Sequence, residues 1–335
     1  MSSKVSVVIP NYNHARYLPQ RIESVLNQSY ANMEVLLLDD CSPDASRDVI
    51  ARYAALDARI QSVLNEENSG STFRQWNKGI ALAQGEYVWL AESDDYADLG
   101  LLAALVARLD ADPCVMLAYC DSWDVNEDGV AVNTWEPFLA ELDPDLWKQD
   151  FTVDGAALVR KYMSYRNIIP NASAVLLRRS ALLQAGPADA TMKVFGDWLY
   201  WARILALGKV AYVAQPLNYF RTHRNNVRSR TREDGTVLVE TTRMLAAMRQ
   251  YGAPDPIYYQ KAVEMLLVLW FHATVYYKVP WARHQTIYRN MMALESGFSG
   301  RMARTFGRQL FGNKFSGIRM LLGDKLLRPL QQQLK

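Results

Sequence analysis

Residues 87–98 read YVWLAESDDYAD. Tyr87 to Ala91 form an unbroken apolar and aromatic run that gives way at once to Glu92, Ser93, Asp94 and Asp95. A continuous run, rather than an alternating one, is the pattern of a strand covered on both faces, as in a parallel sheet between layers of helix. Parallel strands need crossover connections, so the flanking sequence should alternate strand and helix. The first 120 residues do alternate in this way: "VSVVI" (Val5 to Ile9), "VLLL" (Val35 to Leu38), "IQSVL" (Ile60 to Leu64) and "VMLAY" (Val115 to Tyr119) are further strand candidates, with segments of helical period between them. Asp44 is placed to cap "ASRDVIARYAAL", Gly85 to close the helix that follows Thr72, and Asp98 to cap "LGLLAALVARL". This part of the chain reads as α/β, a mostly parallel sheet flanked by helices.

Beyond it the alternation breaks. Asp121 to Tyr162 reads as surface excursions; then come a strand near Ala172 to Leu177, a helix from about Asp197 to Leu207 stopped by Gly208, and a strand "VAYVA". After Asn226 the sequence is helical and divided by Pro254, Pro256 and Pro280. We therefore expect one domain over residues 1–228, with halves of about 1–120 and 121–228, and a helical C-terminal extension over 229–335. Half of the 335 residues are hydrophobic, enough for a sizeable core, and the net charge of +2 makes no global case for binding nucleic acid. Cys41, Cys114 and Cys120 are odd in number and lack metal-ligand spacing, the usage of reduced thiols in a cytoplasmic protein. The N-terminus enters strand-like sequence with no apolar signal segment. The longest mostly apolar run, Met265 to Tyr277, falls short of the roughly 20 residues a transmembrane helix needs.

In open α/β sheets ligands bind beyond the carboxyl ends of the strands. Three polar clusters occupy that position: "PNYN" (Pro10 to Asn13), "DDCSPDAS" (Asp39 to Ser46) and "ESDD". Asp39 and Asp40 point to opposite sides, so one of them faces a ligand. A carboxylate there can accept the N–H of a nucleobase on which Tyr12 stacks; an Asx turn leading to a cap at Asp44 is the better reading of a lone "DD", and the combination with Tyr12 shifts the balance toward the ligand. The ESDD cluster suits Mg²⁺ or Mn²⁺, which take one or two protein carboxylates together with substrate phosphates; a solvated acidic turn is the alternative. Neighbouring carboxylates fit poorly to the two separated acids of a glycosidase, and no GxxxxGK[ST] loop is present. Cys41 has no His partner in its sequence context and reads as a small filler.

Taken in order, "VSVVIPNYNHARYLPQRIESVLNQSYANMEVLLLDDCSPDAS", "NSGSTFRQWNKGIALAQGEYVWLAESDDY", "NASAVLLRRSAL" and "FGDWLYWARILALGKVAYVAQPLNYFRTHRNN" resemble the family 2 glycosyltransferases of the GT-A fold, over residues 4 to about 228. The resemblance implies metal-dependent, inverting transfer of a hexose-type sugar from a UDP-, dTDP- or GDP-linked donor to an acceptor hydroxyl. It implies that Asp40 recognises the base, with Pro10, Tyr12 and Asn13 lining the same pocket, and that Asn68, Gly70, Arg74, Asn77 and Lys78 approach the donor. Glu92 stands where many members have the first Asp, a ribose contact, and Asp94 together with Asp95 matches the family's DxD-type metal site in the donor pocket. Asp95 matches the likeliest direct ligand of Mn²⁺ or Mg²⁺, and His223 falls where a His completes the metal shell or meets the diphosphate. Asp197 matches the catalytic base of an "ED" motif whose Glu is here Gly196; read without the family, a carboxylate at a helix start is an ordinary cap.

Arg301 to Lys335 carries eight basic residues against one acid, Asp324. Met302, Phe306, Leu310, Phe315, Ile318, Leu322 and Leu326 are spaced among them with roughly helical period. One reading is an interfacial helix attracted to anionic lipid, which would place the protein on the inner face of the cell membrane beside a glycan or lipid-linked acceptor in surface-polysaccharide or O-antigen synthesis. The other is a helix packed on the protein with a solvated basic face. A non-catalytic nucleotide-sugar binding module and a nucleotidyltransferase are the competing functions, and the aromatic-rich C-terminal part can supply a homo-oligomer interface.

Overall fold

The computed structural model describes residues 5–222, 231 and 233–322, with side chains through Gly312. Its contacts cluster into two units, the first running to Met192 and from Gly196 to Asn226, the second made of Lys193–Phe195 and the residues from Val227 onward.

The first unit opens with strand β1 (Val5–Asn11), helix α1 (Leu18–Leu26), β2 (Met33–Asp39), α2 (Ser46–Leu56), β3 (Ile60–Leu64), α3 (Thr72–Leu82) and β4 (Tyr87–Leu90). These four strands pair in the order β3-β2-β1-β4, all parallel, and β1, β2 and β4 are buried almost throughout, as their apolar sequences require. Then follow β5 (Tyr96–Ala97), α4 (Leu101–Ala111), β6 (Val115–Val125), β7 (Ala131–Thr134), α5 (Glu136–Ala140), β8 (Phe151–Asp154), α6 (Gly155–Tyr162), β9 (Val175–Arg178), α7 (Arg179–Ala185), α8 (Gly196–Leu205) and β10 (Lys209–Arg221). Strand β9 runs antiparallel between β4 and β6, and the long β10 lies parallel to β6. The fold is thus the α/β architecture expected, with an antiparallel strand let into the sheet beside β4.

Helix α3 lies close on β1 because it carries Gly79 there: a Cβ at that position would stand 2.2 Å from Val8 Cγ1. The second unit is helical, with α9 (Thr236–Met248), α10 (Pro256–Tyr276), α11 (Trp281–Leu294) and α12 (Phe298–Leu322). Pro256 and Trp281 open their helices just where the prolines divided the sequence, and Asp255 caps α10 by accepting from Ile257 N and Tyr258 N at 2.9 and 3.1 Å.

Four local expectations need correction. Asp44 and Asp98 each sit outside the helix they were to cap: Asp44 accepts from Ala15 N and Ser46 N, while Asp98 accepts from Gly100 N. Gly85 does not close α3, which ends at Leu82; its N–H donates to Ser6 Oγ at 2.8 Å. Asp121 to Val125 is not a surface excursion but the second half of β6, where Asp121 and Ser122 are buried and Asn218 Nδ2 of β10 donates to Ser122 Oγ at 3.1 Å.

Burial pushes the Asp121 carboxyl up to about 6 from its ordinary 3.8. The folded state therefore holds this proton more tightly than the unfolded chain, and the stability associated with the neutral form is lost as pH rises through about 6. Asp121→Asn is expected to raise the melting temperature over the parent at pH 8 and to lose that advantage near pH 4. A difference independent of pH would contradict this account of Asp121.

Candidate active site

The carboxyl ends of β1, β2 and β4 carry the three polar clusters to one rim of the sheet. At the end of β2 the two acids diverge. Asp39 turns toward β1 and accepts from Asn11 Nδ2 (2.9 Å), Ser42 N (3.0 Å) and Arg47 Nε (3.1 Å). Asp40 turns the other way and accepts from Asn65 Nδ2 (2.7 Å), Ser69 N, Ser69 Oγ and Gln75 Nε2 (each 2.8 Å). Pro10 lies inside β1, and beyond it Tyr12 is exposed while Asn13, in the left-handed region with φ 61°, donates its N–H to Ser42 Oγ.

The loop before α3 belongs to the same network. Asn68 Oδ1 accepts from Gly70 N at 2.6 Å across a turn that needs φ 70° at Gly70, and Arg74 reaches back to Ser69 O at 2.8 Å. Lys78 Nζ donates to Asn65 Oδ1, one step from Asp40. Asn77 is different: it is spent on the backbone of Ala188, exchanging hydrogen bonds of 2.8 and 2.9 Å with it.

The acidic turn after β4 is split between buried and outward groups. Asp95 is 1% exposed and accepts from Ser173 Oγ at 2.6 Å and Arg221 N at 2.9 Å. Arg21, 0% exposed on α1, brings a guanidinium nitrogen to 3.9 Å from Asp95 Oδ2 and donates Nε to Glu92 O at 2.8 Å. Glu92 accepts from Trp76 Nε1 at 2.6 Å. Burial, reinforced by the charge of Asp94, pushes Glu92 up to about 8 and Asp95 up to about 7, and burial lowers Arg21 to about 10, leaving it charged at neutral pH. Arg221 braces the turn from outside, donating Nε to Asp94 O at 2.7 Å and Nη2 to Gln20 Oε1 at 2.7 Å.

Asp95, the residue matched to the metal ligand, is the buried member of the pair. Its carboxylate is enclosed and already engaged, whereas Asp94 is the half-buried member of the pair. Among the described residues no cluster of three or more His, Cys, Asp or Glu is arranged to hold a metal ion. The donor set nevertheless suits a hard divalent cation that takes one protein carboxylate and fills its shell from phosphates: Asp94 raises the pKa of both acidic neighbours, a like-charge strain that a cation would relieve. His223 lies outside the described residues.

Asp197 opens α8 and accepts from Asn167 Nδ2 at 3.2 Å. One turn later Trp201 stacks on Trp76 with ring centroids 5.6 Å apart, so the helix bearing Asp197 rests on the indole that holds Glu92. Gly196, which stands where the family motif has Glu, is a packing requirement, because a Cβ there would lie 2.4 Å from the Phe73 ring. Sequence reasoning missed Arg21, Trp76, Ser173 and Arg221. Of these Arg21 had a signal, since it occupies the apolar stripe Leu18, Ile22, Val25 of α1.

A sheet of this topology with a nucleotide-type rim and an acidic turn is the GT-A architecture. Residues 6–166 match the profile described as "Glycosyl transferase family 2". The putative teichuronic acid biosynthesis glycosyltransferase TuaG of Bacillus subtilis is 44% identical over 91 residues, 27% of this chain and 36% of that protein. Among solved structures, S. aureus TarS 1-349 in complex with UDP-GlcNAc aligns with TM-score 0.61 at 18% identity, covering 86% of this chain and 79% of that one. The mannosyltransferase PcManGT of Pyrobaculum calidifontis, in complex with GDP-Man and Mn²⁺, aligns with TM-score 0.57 at 16% identity over 99% and 88%. Over residues 6–166 the chain is similar to the family 2 glycosyltransferases. Its matches span no more than 38% of the length of the first curated relatives.

Gly196→Ala should force Phe73 or the first turn of α8 to move, at a cost of roughly 1–3 kcal/mol as in other overpacked cores. A lowered melting temperature, partly restored by adding Phe73→Leu, is the expected result; no change in melting would mean that Phe73 yields freely.

Proposed function

We propose that the chain transfers a sugar from a nucleoside-diphosphate-sugar to an acceptor hydroxyl, with inversion, in the synthesis of a bacterial surface polysaccharide such as an O-antigen. The observation that carries this reading is the gathering of Asp40 and Asp94 on one rim of the sheet with α8, bearing Asp197, keyed to that rim through Trp201 and Trp76. Donors bound to two fold relatives, UDP-GlcNAc in TarS and GDP-Man in PcManGT, support a nucleotide-sugar in the same place.

In this reading Asp40, held in orientation by Asn65, Ser69 and Gln75, meets the nucleobase beside Pro10, Tyr12 and Asn13. The turn at Asn68 and Gly70 and the cations Arg74 and Lys78 approach the rest of the donor, a uracil, thymine or guanine nucleotide. Glu92, fixed by Trp76, shapes the floor near the sugar end. Asp94 would hold a Mn²⁺ or Mg²⁺ ion, which when bound offsets charge developing on the leaving diphosphate. Asp95, neutralised from within by Arg21 and braced by Ser173 and Arg221, keeps the turn in shape. Asp197, oriented by Asn167, takes the acceptor hydroxyl's proton as that oxygen attacks the anomeric carbon from the face opposite the nucleotide. The bond from anomeric carbon to phosphate oxygen breaks, and its electron pair leaves with the nucleoside diphosphate.

The acceptor is a glycan or lipid-linked sugar, and the protein works on the cytoplasmic side, with peripheral contact to the inner face of the membrane. Among the described residues no helix is long and apolar enough to cross a membrane. The first turns of α12 favour packing over lipid: Phe306 contacts Trp270 and Phe271, with ring centroids 5.7 and 5.4 Å away, and Arg301 and Arg308 pair with Glu295 and Glu264. Any lipid contact then falls to the basic residues beyond.

A panel of nucleotide-sugars incubated with Mn²⁺ should yield slow release of a nucleoside diphosphate from one donor, with Asp197→Asn cutting transfer by ~10²- to 10⁴-fold while retaining donor binding. Asp94→Asn should abolish the Mn²⁺ dependence of donor binding measured by calorimetry. Release of pyrophosphate instead would mean a nucleotidyltransferase, and undiminished transfer by Asp197→Asn would remove it as the base.

A further inference from the structure

One buried acid plays no part in the chemistry proposed above. Glu240, on α9, is 3% exposed, and its carboxylate accepts from three successive backbone N–H groups: Lys193 N on Oε1 at 2.7 Å, and Val194 N and Phe195 N on Oε2 at 2.9 and 3.1 Å. Lys193–Phe195 and α9 belong to the same unit, and the chain leaves that unit at Phe195 to begin α8 at Gly196. Asp197, the proposed base, therefore stands two residues beyond the clamp. Burying a carboxylate is costly unless charge-assisted hydrogen bonds satisfy it, and three converging N–H groups form the anion-binding nest that does so. An apolar side chain would fill the same space at less cost but would hold none of the three amides.

The clamp has a firm base. Within the second unit Arg283 of α11 reaches Asp234 at 2.7 Å and Thr236 Oγ1 at 2.6 Å, and Asn290 Nδ2 donates to the buried Thr242 Oγ1 at 2.8 Å, two residues from Glu240. On the other side of the clamp the first turn of α8 is pinned by Trp198 Nε1, which donates to Met163 O at 3.0 Å, and by the bond from Asn167 to Asp197. We infer that Glu240 is a positioning residue for Asp197: it fixes the entry to α8 so that the base meets the acceptor hydroxyl. The inference deepens the transferase reading and rests on it. Placement matters because a shift of about 1 Å at a reacting group can cost ~10²-fold in rate.

Glu240→Gln supplies the test, since one end of its amide must turn an NH₂ group toward an N–H that had an acceptor. Glu240→Asp keeps both oxygens, one methylene further back. Two readouts on the full chain are compared: hydrogen exchange by mass spectrometry, and release of UDP or GDP from UDP-GlcNAc or GDP-Man with Mn²⁺. In Glu240→Gln, exchange should quicken over residues 193–200 and stay as in the parent over α11. Its kcat should fall about 10- to 100-fold with the donor KM within about twofold, because Asp197 acts on the acceptor, and Glu240→Asp should fall between. Added to Asp197→Asn, Glu240→Gln should lower the residual rate no further. A role in folding alone would lower the melting temperature and leave kcat intact. Parental exchange over 193–200 in the folded variant, parental kcat, or a further loss in the double variant overturns the inference. Undiminished turnover by Asp197→Asn removes the base and the inference with it, whereas failure of the clamp alone leaves Asp197→Asn inactive. Should the parent turn over neither donor, exchange over 193–200 decides; should Glu240→Gln fail to fold, Glu240→Asp is read in its place.

Discussion

Three carboxylates within four residues at the end of a buried strand repel one another, and the site depends on how that repulsion is offset. Two arginines hold the turn, Arg21 from within and Arg221 from outside. Arg21 places its charge 3.9 Å from Asp95, and Arg221 uses its backbone N–H on Asp95 and its side chain on Asp94 O. At such a separation the attraction is worth a few kcal/mol at an effective dielectric near 20, and the desolvation of both buried partners is set against it. The consequence is a division of labour between adjacent residues. Asp95 is the buried member that holds the turn through Ser173 and Arg221, and Asp94 is the half-buried one.

That turn is linked through side chains to the helix that bears Asp197. Glu92 is held by the indole of Trp76, Trp76 is stacked on Trp201, and Trp201 shares a helix with Asp197. Gly196 lets that helix approach Phe73, a neighbour of Trp76 in α3 with ring centroids 5.1 Å apart. A departure from the family motif that would seem to weaken the site is thus the condition for seating the helix that carries the proposed base.

The rim itself was legible in the sequence, because parallel topology brings the residues after β1, β2 and β4 to one edge whatever the later packing does. Its internal wiring was not. Asp95 finds Ser173 and Arg221 at separations of 78 and 126 residues, so no local pattern could show that it is enclosed while Asp94 is not. Asn77 sat among donor-side residues in sequence but is drawn to Ala188 by a loop far along the chain. The Asp121 to Val125 segment looked like surface because it is polar, and it is a strand because β10 runs beside it and satisfies those polar groups. Arg21 could have been noticed, since an arginine in the apolar stripe of α1 has to be buried and so must have an acidic neighbour.

Anomalous diffraction from crystals grown with Mn²⁺ and the donor nucleotide that binds best would test the central claim most directly. The expected result is a manganese peak on the Asp94 carboxylate and the nucleotide diphosphate, with Asp95 still hydrogen-bonded to Ser173 and Arg221. Manganese bound by Asp95, with Arg21 and Ser173 released from it, would contradict the division between the two residues on which this account rests.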